Sequence, residues 1–150
     1  MYRYLFALIL LAAGCGNPSS ERAEEPGDLL LLMSFSQQYL EKLHLAGEAQ
    51  NWPLADLYAH ELEEIGEALR DSGYEVHGTP LASMARGAFL PAVERVEEAI
   101  DAADTEAFAS AFETVVSTCN SCHAATGYEA IRIIVPEDYT RPYPSQSFVP

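Results

Sequence analysis

The sequence predicts an all-α protein, an up-down-up-down four-helix bundle over residues 28–127 followed by an extended tail over residues 128–150. Three observations carry this reading. Apolar residues recur at spacings of three and four through residues 29–127; Asp, Asn, Thr and Pro stand where each such stretch restarts; and no segment alternates apolar and polar residues as a half-buried strand does. Short connections between the stretches make successive helices antiparallel neighbours.

Asp28 stands as the N-cap of the first helix, over residues 29–50, a stretch without proline or β-branched residues. Leu29, Met33, Gln37, Leu40, His44 and Gly47 form one stripe along it. Asn51-Trp52-Pro53 restarts the chain with a cap and an early proline, and Leu54, Leu57, Tyr58, Ile65 and Leu69 supply the apolar face of a second helix that stops before Gly73. Residues 73–78 read as a loop. Thr79-Pro80 is again a cap-plus-proline start, and the third helix extends to about Ala103, with a kink or break expected near residues 87–91 because Gly87 and Pro91 fall inside it. Asp104 or Thr105 opens the fourth helix, which turns Phe108, Phe112, Val115 and Val116 inward and ends at Gly127.

The N-terminal part is not fold. Residues 1–14, MYRYLFALILLAAG, place Arg3 before an apolar run that ends in small residues, the layout of a secretory signal. The run is shorter than the roughly 20 apolar residues needed to cross a bilayer. Leu11-Ala12-Ala13-Gly14-Cys15 resembles the lipobox of bacterial lipoproteins, which implies cleavage before Cys15 and acylation of that cysteine. Residues 15–27 then form a flexible, lipid-anchored linker. The expected location is the periplasmic face of a bacterial membrane. The resemblance favours the outer membrane in a two-membrane organism, because Gly16 and not aspartate follows the cysteine.

The whole chain has 8 Lys and Arg against 23 Asp and Glu, a formal charge of −15. Losing residues 1–14 removes Arg3 and no acid, so the remainder carries −16, with Lys42 its only lysine. Such a balance opposes charge-driven binding to nucleic acid or an anionic membrane. It suits a partner with a basic docking surface, steered at long range and weakened by salt, and serves equally as a solvated acidic surface.

Cys119-Asn120-Ser121-Cys122-His123 spells C-x-x-C-H, the attachment signature of c-type haem. Residues i, i+3 and i+4 share one helix face, so two thiols can join two vinyl groups while the imidazole reaches the iron from the same side. A structural zinc site would require a fourth ligand, and the only further cysteine is Cys15. A thioredoxin-like pair expects a βαβ context, and a Cys119–Cys122 disulfide leaves His123 without a role. Export agrees with haem c, which is attached outside the cytoplasm. The expected cofactor is therefore one covalent haem on Cys119 and Cys122, with His123 as proximal iron ligand.

A four-helix bundle with a single C-x-x-C-H near the end of its last helix resembles the cytochrome c-prime family, the class II c-type cytochromes. The likeness spans residues 28–127. It implies that a residue near the start of the first helix covers the far side of the iron. An apolar residue there leaves the iron five-coordinate and open to small gases, whereas methionine makes it six-coordinate and suited to electron transfer. With helices one and four antiparallel, Met33 lies level with His123 and is the expected distal ligand. His44 lies eleven residues farther along, about 16 Å at about 1.5 Å per residue, and faces the other end. His77 and Met84 lie at the haem end and compete with Met33, while His60 points away from the apolar face of its helix.

The chain departs from the family in three respects. Ala124-Ala125-Thr126-Gly127 replaces the basic residues that typically follow the motif, Leu29 stands where an arginine often lies, and the tail continues with Ile131, Ile133, Ile134 and Val135. The tail is expected to run back along the bundle, with Arg132 near a haem propionate or simply at the surface. The favoured function is an exported one-electron carrier, not an enzyme. A five-coordinate gas-binding or gas-sensing haem protein is the alternative, and a non-haem acidic interaction module the third reading. A homodimer is compatible with each of these readings.

Overall fold

The computed structural model describes residues 26–135. The expected signal, Cys15, most of the linker and residues 136–150 lie outside the described residues. Those described are mostly helical, with one small antiparallel hairpin.

Helix α1 (Pro26–Glu48) starts before its expected cap, and Asp28 sits in its first turn, where a carboxylate meets the positive end of the helix dipole. The helix closes through two backbone bonds, Gln50 N–H to Gly47 at 2.9 Å and Asn51 N–H to Ala46 at 2.9 Å. Gln50 takes the left-handed φ of 54° that this closure requires. Helix α2 (Trp52–Asp71) has Pro53 in its first turn, where a missing N–H costs nothing. Its buried face is Ala55, Tyr58, Ala59, Leu62, Ile65 and Gly66. Leu57, expected on that face, is 49% exposed, and Leu62 takes the central place at 1%.

Residues 73–78 are not wholly loop. Strands β1 (Glu75–Val76) and β2 (Thr79–Pro80) pair antiparallel, Glu75 opposite Pro80 and Val76 opposite Thr79. His77 and Gly78 between them have φ of 49° and 82°, the two positive values of the tight turn that matches strand twist. Thr79-Pro80 therefore belongs to the hairpin, and Pro80 is the residue from which helix α3 (Leu81–Met84) departs.

No break separates α3 from α4 (Leu90–Asp101). A π turn over Ala85–Phe89 joins them, in which the Leu90 N–H bonds to the Ala85 carbonyl five residues back. Pro91, lacking an N–H, then sits in the first turn of α4. The discontinuity expected near residues 87–91 is thus a widened turn that starts at residue 85. Asp104 caps α5 (Thr105–Ala125), its side chain accepting from the N–H groups of Glu106 and Ala107 at 3.0 Å each.

Helix α1 packs on α2, α2 on α4 and α4 on α5, while α1 and α5 touch far less. The core joins Leu40 and Leu43 of α1, Leu62 of α2, Val93 and Val96 of α4, and Phe108, Phe112, Val115 and Val116 of α5. Each side chain removed from water contributes about 1.5–3 kcal/mol. At the end away from the hairpin, Gly47 lets the Phe108 ring press against the α1 backbone. Toward the other end α1 and α5 leave space between them.

Candidate cofactor site

That space is a cavity of about 1580 Å³, lined mainly by apolar side chains. It exceeds the roughly 300–1,000 Å³ of ordinary ligand pockets. The last turns of α5 contribute Cys119, Cys122 and His123 to one wall. Leu29, Met33 and Leu40 of α1 line it as well, together with Val76 and His77 of the hairpin and Leu81 and Met84 of α3. The three motif residues and all three candidate distal ligands thus line one space. His44 does not; it is buried against the Phe112 ring, with centroids 4.9 Å apart. His60 lies at the surface with Glu63, 3.3 Å from its Nδ1.

Both motif cysteines are free thiols. Burial pushes the Cys119 thiol up to about 12, the neighbouring Cys122 adding to the effect, and burial raises Cys122 as well. The Cys122 Sγ lies 3.6 Å from the Met84 Sδ. Among the described residues, no cluster of three or more His, Cys, Asp or Glu side chains could hold a metal ion. A haem iron asks less of the chain, since the macrocycle supplies four of its ligands.

His123 is oriented by a residue far beyond its own helix turn. Its Nδ1 lies 2.8 Å from the Ile131 carbonyl oxygen. A carbonyl only accepts, so Nδ1 carries the proton and Nε2 of the neutral ring keeps its lone pair for a metal. Asn120 holds the same tail segment: its Nδ2 donates to the Ile133 carbonyl at 2.9 Å, and its Oδ1 accepts from the Ile133 N–H at 2.8 Å. Ile133 and Val135 pack against the core. Arg132 lines a shallow groove on the outer side of α5, with Glu113 and Glu129, and is not among the residues that line the cavity.

The hairpin closes the same end of α5. His77 Nδ1 lies 2.8 Å from the Thr126 carbonyl oxygen, and its ring stacks on Tyr128 with centroids 5.6 Å apart. Thr79 donates to the Ala125 carbonyl at 3.3 Å. These contacts satisfy carbonyls that a helix end leaves without intrahelical partners. Gly127, with φ of 77°, passes so close that a Cβ there would stand 3.1 Å from His77 Nδ1. Sequence reasoning missed Asn120 and the Ile131 carbonyl as parts of the site.

The cavity wall thus carries two thiols and an imidazole from one face of α5, the imidazole bonded through Nδ1 and so left with Nε2 for a metal, amid mainly apolar surface, a donor set that fits haem c. Among the described residues no lysine or arginine lines it; Asp71 and Glu75 do. No protein-family model, curated protein or solved structure matches the chain.

Proposed function

We propose that this chain is an exported, lipid-anchored c-type cytochrome that carries one covalent haem on Cys119, Cys122 and His123 and transfers single electrons. The reading includes a cytochrome c-prime-like up-down-up-down bundle, anchoring through Cys15 and a redox partner with a basic surface. The observation that carries it is the His123 ring, held through Nδ1 by the Ile131 carbonyl beside two free thiols on the wall of a large apolar cavity. When bound, haem supplies a one-electron iron couple.

The chain's own residues do the rest. Cys119 and Cys122 would fix the cofactor to α5, and His123 would offer Nε2 to the iron. The Nδ1 bond makes the imidazole a stronger donor. The mainly apolar walls would keep much of the haem from water, and Met33 would hold the iron from the far side, with Met84 and His77 as its competitors on the same cavity.

Expressed with a haem-attachment system, the full chain is expected to stain for covalent haem after denaturing electrophoresis, and Cys119→Ala with Cys122→Ala to abolish the stain. Absence of stain in the wild type would overturn the proposal in favour of a non-haem acidic interaction module. A high-spin spectrum with ready carbon monoxide binding would replace the electron carrier by a gas-binding protein.

A further inference from the structure

We propose that Asn120, the first variable residue of the C-x-x-C-H run, is a positioning residue for the iron ligand: by pinning the Ile133 backbone it presents the Ile131 carbonyl to His123. This deepens the haem reading and rests on it.

Residues 132–135 form no helix or strand, and Ile131 is 53% exposed; Ile133 and Val135 rest on the core, but the Ile131 side chain does not itself fix the Ile131 carbonyl. The backbone does. Ile131 N–H bonds to the Tyr128 carbonyl at 2.8 Å on one side, and on the other Ile133 is held through both its N–H and its carbonyl by Asn120. The Asn120 amide thereby stands in for a neighbouring strand, and its two bonds fix which atom is oxygen, since the flipped amide would set donor against donor.

The spacing explains why these two motif residues cooperate. Asn120 and His123 are i and i+3 on α5, about 5–6 Å apart on the helix surface. Ile131 and Ile133 are two residues apart in extended chain, about 6.6 Å. The tail therefore runs antiparallel to α5 in matched register, Ile131 on His123 and Ile133 on Asn120. Asn is the residue that suits the first variable position. Asp can accept from the Ile133 N–H but sets an oxygen against the Ile133 carbonyl, and an apolar residue makes neither bond.

Without the clamp the Ile131 carbonyl leaves His123. The imidazole then donates less electron density, the oxidised iron loses stabilisation, and the potential rises. Outer partners of metal-bound histidines typically carry effects of about 10–100-fold. A tenfold change in a one-electron equilibrium is about 59 mV.

The test uses the full haem-loaded chain, with potentiometric titration of the wild type, Asn120→Ala and Asn120→Asp and an NMR measurement of solvent exchange at the His123 Nδ1 proton. Asn120→Ala is expected to raise the potential by about tenfold in the equilibrium constant and to speed Nδ1 exchange, with Asn120→Asp shifting both in the same direction. An unchanged potential and unchanged exchange in haem-bearing Asn120→Ala overturn the inference. Should Asn120→Ala not fold, Asn120→Asp, which keeps the shape and one of the two bonds, decides by the same two readouts. Absence of covalent haem in the wild type overturns the underlying reading instead and is recognised on the gel before any titration.

Discussion

The Phe108 ring fills the volume that a side chain on Gly47 would occupy: a Cβ built there falls inside the ring edge. Helices α1 and α5 make their close approach at this point, and Trp52 meets the same ring edge-on, with centroids 5.9 Å apart. Phe108 is 1% exposed, so the ring has no direct way out into solvent.

Gly47→Ala is therefore expected to destabilise the fold by about 1–3 kcal/mol, the usual cost of overpacking, despite alanine's better helix propensity. Denaturant unfolding monitored by circular dichroism measures it. Stability equal to or above the wild type would show that the interhelical contact is looser than described.

His44 gives a pH dependence with a definite sign. Burial lowers its pKa below the ordinary 6.5, with Glu48 opposing more weakly. The unfolded chain then binds the proton more readily than the folded one, so this contribution to stability is full above about pH 6.5 and is lost as pH falls toward the lower folded pKa. Unfolding midpoints between pH 7.5 and pH 5 are expected to fall with pH in the wild type and to fall less in His44→Phe. Parallel curves for the two proteins would remove His44 as the cause.

Met33→Ala separates two ways of using the cavity. With Met33 as distal ligand, the wild type is low-spin when reduced and resists carbon monoxide, and the variant becomes high-spin, binds the gas readily and has a lower potential. A low-spin spectrum unchanged by the substitution would move the ligand to Met84 or His77. Loss of the fold would mark Met33 as core packing, for which truncation costs about 2–5 kcal/mol.

Cys15→Ala addresses the anchor. Among the described residues no helix is long and apolar enough to cross a membrane. The variant is expected to leave the membrane fraction for the soluble one on cell fractionation, where the wild type stays with the membranes. Unchanged partition would contradict acylation at Cys15.

Much of this architecture is legible in residue order, and the exceptions have physical reasons. The inward positions of α5 follow from side-chain chemistry alone, and so does the shared face of Cys119, Cys122 and His123, whereas the choice of Asp104 over Thr105 as the α5 cap takes the structure. The hairpin does not, because two-residue strands are too short to show alternation and Thr79-Pro80 reads equally well as a helix start. The ends of α1 and α4 close on Gln50 and Ala103, which take left-handed φ values usually signalled by glycine. Leu57 and Tyr58 are adjacent and both apolar, so only the packing of α1 decides that Tyr58 turns inward. The Ile131 carbonyl has no sequence signal at all: every residue carries one, and only the return of the tail along α5 brings this one to His123.

The widened turn at Ala85–Phe89 fixes an azimuth. It inserts one residue into an otherwise continuous helix, and one residue is about 100° of rotation at 3.6 residues per turn. Everything before it, including Leu81 and Met84, is thereby dialled about 100° relative to Val93 and Val96 on the far side. With a regular α-helix through residues 81–101 and α4 seated as it is, Met84 would swing away from Cys122. A single-residue deletion there would leave the rest of the cavity lining in place and turn the Met84 sulfur away from Cys122.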